Sequence, residues 1–222
     1  MSINIIQNYL VFTNELEQNN NKIWFDDNRD RYKKLSEDYK NWIGELIFGV
    51  SEFDDRLRFL TPNECTFRIN RDYRFSKNKE PYKTHISGGF NHNGKTGYTA
   101  GYYFEISIKG MLMVAGGQYW VEPDVLYRIR REIDSNPMPL QDIVQNPDFV
   151  DTFGGLSTDN ILKTVPKGFD KNSLAIELLR YKNYIATCLV DINRLDDEQI
   201  KKIILEKLKT VSPLVKYLRT MS

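Results

Sequence analysis

The residues best suited to chemistry are concentrated between Thr66 and His85. Six bases, Arg68, Arg71, Arg74, Lys77, Lys79 and Lys83, stand there against two acids, Asp72 and Glu80, a net of +4. The whole chain carries a formal +1, so everything outside this stretch sums to −3. Arginine presents a planar fork that matches phosphate or carboxylate through two hydrogen bonds, and lysine adds a point charge. If the stretch is a strand followed by a turn, Arg68 and Arg74 share one parity, and Arg71 shares the other with Tyr73 and Phe75. A guanidinium among aromatic rings is costly unless it meets an anion, which Asp72 or a ligand could supply. Tyr82 and Phe75 offer ring faces on which a base or sugar could stack. The expectation is an anion pocket of Arg71, Arg74, Lys77, Lys79 and Lys83, with Arg68, Asp72, Ser76, Tyr82 and Gly117 as further ligand-binding candidates. The competing reading is architectural. Asp72 would pair with Arg71 or Arg74, Ser76 would hold a turn through the backbone, and the lysines would form an exposed rim.

Other chemistries find less support. His85 and His92 are the only histidines, and their spacing fits no common zinc pattern, so no metal or other cofactor is expected. There is no Gly-x-Ser-x-Gly elbow. Cys188 lies in an apolar run and reads as a small hydrophobe, whereas Cys65 follows a turn and could be exposed. Acid–base work by Asp72 and His85 is conceivable, but a bystander role is the expectation for each. Gly116-Gly117 lacks the phosphate-loop pattern and is read as a turn that ends a strand. Arg128, Arg130, Arg131 and Glu132 read as a solvated face, although Arg130 shares the spacing of Leu126 and Ile133.

The elements that must hold these residues follow from periodicity. Ile5, Ile6, Tyr9, Leu10, Thr13 and Leu16 predict a helix over 3–17, ended by Asn19-Asn20-Asn21. A longer helix is predicted from Trp24 to Val50, with Phe25, Tyr32, Leu35, Tyr39, Trp42, Ile43, Leu46 and Ile47 inward, and the two form a helical hairpin. Thr66 to Asn70 reads as a strand, Gly88-Gly89 as a break, and Tyr98 to Ile108 as a strand that returns through Lys109-Gly110 into Met111 to Ala115. Pro123 opens a helix to Ile133. A short helix is expected near Leu140 to Gln145 and another from Ser173 to Tyr181, then a strand from Tyr184 to Val190. Asp196 to Leu208 and Pro213 to Leu218 are expected to close the chain as a helical hairpin. The fold class is therefore α+β, with N-terminal and C-terminal helices packed on a small, mainly antiparallel sheet. One domain over residues 1–222 is expected.

Hydrophobic residues at 41%, with 27% charged, describe an ordinary globular chain and exclude a disordered one. Two distant cysteines make no disulfide scaffold, and no apolar run approaches membrane-spanning length. A cytoplasmic protein without membrane association is expected. Near-zero net charge requires any basic function to be local. Nothing in the sequence specifies an oligomeric state.

Several blocks together resemble a known family. Asn20-Asn21-Lys22-Ile23-Trp24-Phe25 is similar to the opening motif of domain-of-unknown-function family 2461. Arg71-Asp72-Tyr73-Arg74-Phe75-Ser76-Lys77-Asn78-Lys79-Glu80-Pro81-Tyr82-Lys83-Thr84 resembles its central signature. Gly116-Gly117 with Pro123, Leu126 and Arg130, then Pro166-Lys167-Gly168-Phe169 and Leu178-Leu179-Arg180-Tyr181-Lys182, resemble its later blocks. Ile23 stands where a polar residue is expected and Glu80 where Thr is more usual. The resemblance implies a single-domain protein and brings no catalytic residues with it.

The function expected from the residues is binding, or acting on, a phosphorylated small molecule or nucleotide through the basic stretch. The alternative is a non-enzymatic module that docks an acidic protein segment or single-stranded nucleic acid. Salt separates the two, because nucleic-acid binding weakens steeply with ionic strength.

Overall fold

The computed structural model describes residues 4–72, 79–95 and 98–221. Helix α1 (Ile5–Gln18) buries Ile6, Tyr9, Leu10, Phe12, Thr13 and Leu16, close to the predicted stripe. Its N-terminus is capped from across the molecule. The Asp197 carboxylate accepts the N–H groups of Ile5 and Ile6, two donors that no earlier turn of helix can satisfy.

The long helix predicted from Trp24 is divided in two. Helix α2 (Lys22–Asp27) starts at Asn21, whose side chain accepts the Trp24 N–H at 3.0 Å. Helix α3 (Arg29–Ser51) follows after Asn28. The Asn28 amide donates to the Trp24 carbonyl at 2.9 Å, a local bond that competes with the helical ladder and marks the break. The expected hairpin of helices does form. Tyr9 of α1 meets Tyr39 of α3 edge-on at 5.5 Å, and Glu15 pairs with Arg31.

Helix α4 (Pro62–Cys65) opens with a Thr61/Glu64 capping box and leads into the basic stretch. The strand predicted over Thr66–Asn70 is reduced to single bridges, Thr66 to Gly88 and Asn70 to Tyr82. Cys65 is fully buried rather than exposed, and burial pushes its thiol up to about 12, so it is inert at neutral pH.

Four strands among the described residues form one antiparallel sheet in the order β1 (Ile86–Phe90), β2 (Gly101–Ile106), β3 (Met111–Gln118) and β4 (Tyr184–Asp191). Tyr102, Phe104 and Ile106 point inward as their alternation predicts. Gly88 and Gly89 lie inside β1 and do not interrupt it. A β-carbon on Gly88 would come within 2.5 Å of the Phe104 ring, and one on Gly89 would touch Phe67 on the other face. Gly116 and Gly117 likewise lie inside β3, where no phosphate loop can form. A β-carbon on Gly116 would strike Val211 at 2.3 Å, and Gly117 has a positive φ against the Tyr184 carbonyl. Glycine here marks close approach within a sheet, not its end.

Helix α5 (Pro123–Ser135) matches expectation, and α6 (Met138–Val144) is followed by an unpredicted α7 (Pro147–Phe153), capped by Asn146. Helix α8 (Ile176–Leu179) is shorter than predicted. The C-terminal segment is one helix, α9 (Asp197–Arg219), rather than a hairpin. Pro213 within it costs roughly 3 kcal/mol. Ile200, Ile204, Leu208, Val211, Val215 and Leu218 form a buried stripe that continues past the proline, and each contributes about 1.5–3 kcal/mol. Burial wins, and Pro213 lies on the exposed side. Helices α3 and α9 cover the inner sheet face, with Trp42 against Phe104 and α9 against β3. The buried hydrophobic residues form one cluster.

Candidate anion site

The basic stretch is positioned by backbone pairing. The Arg71 N–H donates to the Pro81 carbonyl and the Lys83 N–H to the Ile69 carbonyl, both at 2.8 Å, so 69–71 and 81–83 run side by side. A second tie comes from the helices. Asn20 donates to the Tyr82 carbonyl at 3.0 Å and accepts the Tyr82 N–H at 3.1 Å, so its amide completes the ladder as a neighbouring strand would. The Tyr82 ring is buried and stacks on Phe25 at 4.1 Å, so it packs into the core and presents no open face to a ligand.

These ties bring Arg68, Arg71 and Lys83 together. A narrow cleft between the paired segment and helices α1 and α3 is lined by Tyr39, Phe67, Arg68, Lys83, His85 and Ser87. Its interior is about 10 Å³, room for roughly one water, so a larger ligand must lie at the mouth. Arg68 is exposed there. Arg71 is tethered: one guanidinium nitrogen donates to the Tyr82 carbonyl at 3.3 Å, and the Glu80 carboxylate lies 3.8 Å away. Among the described residues its Nε is buried with no hydrogen-bond partner, as is the Tyr39 hydroxyl. The Lys83 ammonium sits 5.5 Å above the Phe67 ring. Burial, and then the neighbouring Arg68 and Arg71, hold its pKa below the usual lysine value.

Of the other expected site residues, Asp72 and Lys79 are exposed at the ends of the described segments. Arg74, Ser76 and Lys77 lie outside the described residues. Gly117 sits in β3 opposite Gly101 and Ile185, where backbone packing already accounts for it.

The structure adds residues that sequence reasoning treated as bystanders or did not consider. His85 Nε2 is 3.6 Å from Glu105 Oε2, and the Tyr103 hydroxyl donates to the same oxygen at 2.8 Å. The signal was parity. Lys83, His85 and Ser87 alternate and line one cleft, and Glu105 lies opposite Ser87 in the β1–β2 register. Burial lowers the His85 pKa most, Lys83 and Arg71 lower it further, and Glu105 opposes them. Lys95 is architectural, its ammonium donating to the carbonyls of Asn63 and Thr66. Arg130 is likewise tied to the Tyr181 carbonyl at 2.8 Å, not solvated.

A larger groove of about 550 Å³ between α3 and α9 contains one lysine, Lys201, already paired with Glu45 and Glu198. No group of three or more potential metal ligands occurs among the described residues, and no helix among them is long and apolar enough to cross a membrane.

Fold and site together define an α+β protein with a basic cleft beside the first strand of a four-stranded antiparallel sheet. The chain belongs to the conserved hypothetical protein family DUF2461, whose model matches residues 8–217. No curated protein and no solved structure matches it.

Proposed function

We propose that the cleft at Arg68, Arg71 and Lys83 binds the phosphate of a small phosphorylated molecule, as ligand or substrate. The convergence of Arg68 and Arg71 on the half-buried Lys83, which Glu105 only partly offsets, carries this reading. Like charges crowded in a partly dry site are unfavourable unless an anion joins them. Because the interior is water-sized, the phosphate sits at the mouth and the rest of the molecule projects outward.

Thermal unfolding against phosphate monoesters, nucleotides and dicarboxylates tests the reading. A ligand at about 100 times its dissociation constant stabilises by roughly 2.7 kcal/mol. That corresponds to a rise of about 5–10 °C in a chain of this size. The rise should vanish in Arg68→Ala and Lys83→Ala. A flat panel across all three classes rejects the proposal.

A second reading rests on the exposure of Arg68 and Lys79, which also suits an extended polyanion. In that case affinity would fall log-linearly and steeply with salt, while a small-anion site responds less.

A further inference from the structure

His85 is surrounded by groups from several elements. Glu105 and Tyr103 approach from β2, Arg68 and Arg71 from the segment before it, Lys83 from its own segment, and Tyr9 and Tyr39 from α1 and α3. Among these, Glu105 alone is an acid, and its Oε2 already accepts from Tyr103. At 3.6 Å the His85–Glu105 contact is too long for a hydrogen bond but short enough to become one through a small side-chain movement.

We propose that anion binding at this cleft takes up one proton at His85, so that the preferred ligand is a dianion such as a phosphate monoester. The proposal rests on the anion reading above and adds the ligand's charge state and its pH dependence. Without an anion, burial first and then Lys83 and Arg71 oppose a positive charge on the imidazole, and Glu105 only partly offsets them. A dianion cancels their field. The imidazolium then forms a charge-assisted hydrogen bond to Glu105 and joins Arg68 and Lys83, which line the same cleft. Binding and protonation are reciprocal, so an anion that raises the proton affinity of His85 must itself bind more tightly at lower pH. With one proton taken up per anion, affinity changes by up to about tenfold per pH unit.

The chain has two histidines, His85 and His92, so both imidazoles can be followed separately by NMR, with His85→Gln fixing the assignment. Sulfate is the probe, because it remains a dianion from pH 5 to 8 while inorganic phosphate does not. Saturating sulfate should raise the His85 titration midpoint by about one unit and leave His92 unmoved. In His85→Gln, sulfate should still bind, with the wild-type protein's weaker high-pH affinity at every pH. If sulfate binds and the His85 midpoint stays fixed, or His85→Gln keeps the wild-type pH dependence, proton uptake is wrong and the anion site stands. If neither sulfate nor phosphate perturbs the wild-type protein at any pH, the site and this inference fall together.

Discussion

The side-chain amide of Asn20 and the backbone of Tyr82 exchange two hydrogen bonds across 62 residues of sequence. One end lies in the Asn20-Asn21 turn between the first two helices, the other in the basic stretch, and the two motifs thereby hold each other in place. Arg71 donates to the same Tyr82 carbonyl, so the cation's position depends on this clamp. Asn20→Ala removes both bonds and should cost about 1–3 kcal/mol in urea unfolding, at 0.5–1.5 kcal/mol per bond. Asn20→Asp keeps the acceptor and loses the donor, and should fall between the two. An unchanged midpoint in Asn20→Ala would show that the clamp carries no stability.

A second long-range tie closes the C-terminus. Arg219 and Asp54 are 2.6 Å apart with both side chains only 2% exposed, and Asp54 also accepts the Tyr102 hydroxyl at 2.9 Å. Removing one partner leaves a buried, uncompensated charge, a loss of about 3–5 kcal/mol. Arg219→Met and Asp54→Asn should each lower the unfolding midpoint strongly, and the double variant should lose clearly less than their sum. Strict additivity would show that the pair does not interact.

The pH dependence of stability has a definite sign. Burial lowers the pKa of both His85 and His92 relative to the unfolded chain. Between the folded value and the ordinary histidine value near 6.5, the unfolded chain binds more protons, so stability rises with pH. Stability should therefore be level above about pH 7 and decline as pH falls below 6.5. His92 is exposed and its part is screened, so His85→Gln should remove most of the decline. A profile rising toward pH 5.5 contradicts this.

Much of the architecture was legible from spacing. The stripe of α1, the alternation of β2 and the strand at Tyr184 are local signals, and each element appears where its pattern lies. What could not be read locally was decided by distant contacts. Gly88-Gly89 and Gly116-Gly117 resemble turns unless Phe104, Phe67 and Val211 are known to press on them. Pro213 resembles a helix break unless the buried stripe on either side is counted. In the site, the charges of Arg68, Arg71 and Lys83 were visible in composition, whereas Glu105 reaches His85 only through the β1–β2 register.

Those glycines give a graded test. Gly88→Ala and Gly116→Ala force a β-carbon within 2.5 Å of the Phe104 ring and 2.3 Å of Val211. Each should cost about 1–3 kcal/mol by overpacking. Gly89→Ala meets Phe67 at 3.4 Å, near ordinary contact, and should be tolerated better. Equal losses at all three positions, measured by thermal unfolding, would contradict the packing account.

The central claim, an anion site at Arg68, Arg71 and Lys83, is tested most directly by calorimetric titration of inorganic phosphate into the wild-type protein, Arg68→Ala and Lys83→Ala. Arg68 is exposed, so its replacement should leave the fold intact. Saturable one-to-one binding to the wild-type protein, weakened at least tenfold in each variant, is the predicted result. Identical isotherms for all three proteins, or no heat of binding in any, would contradict it.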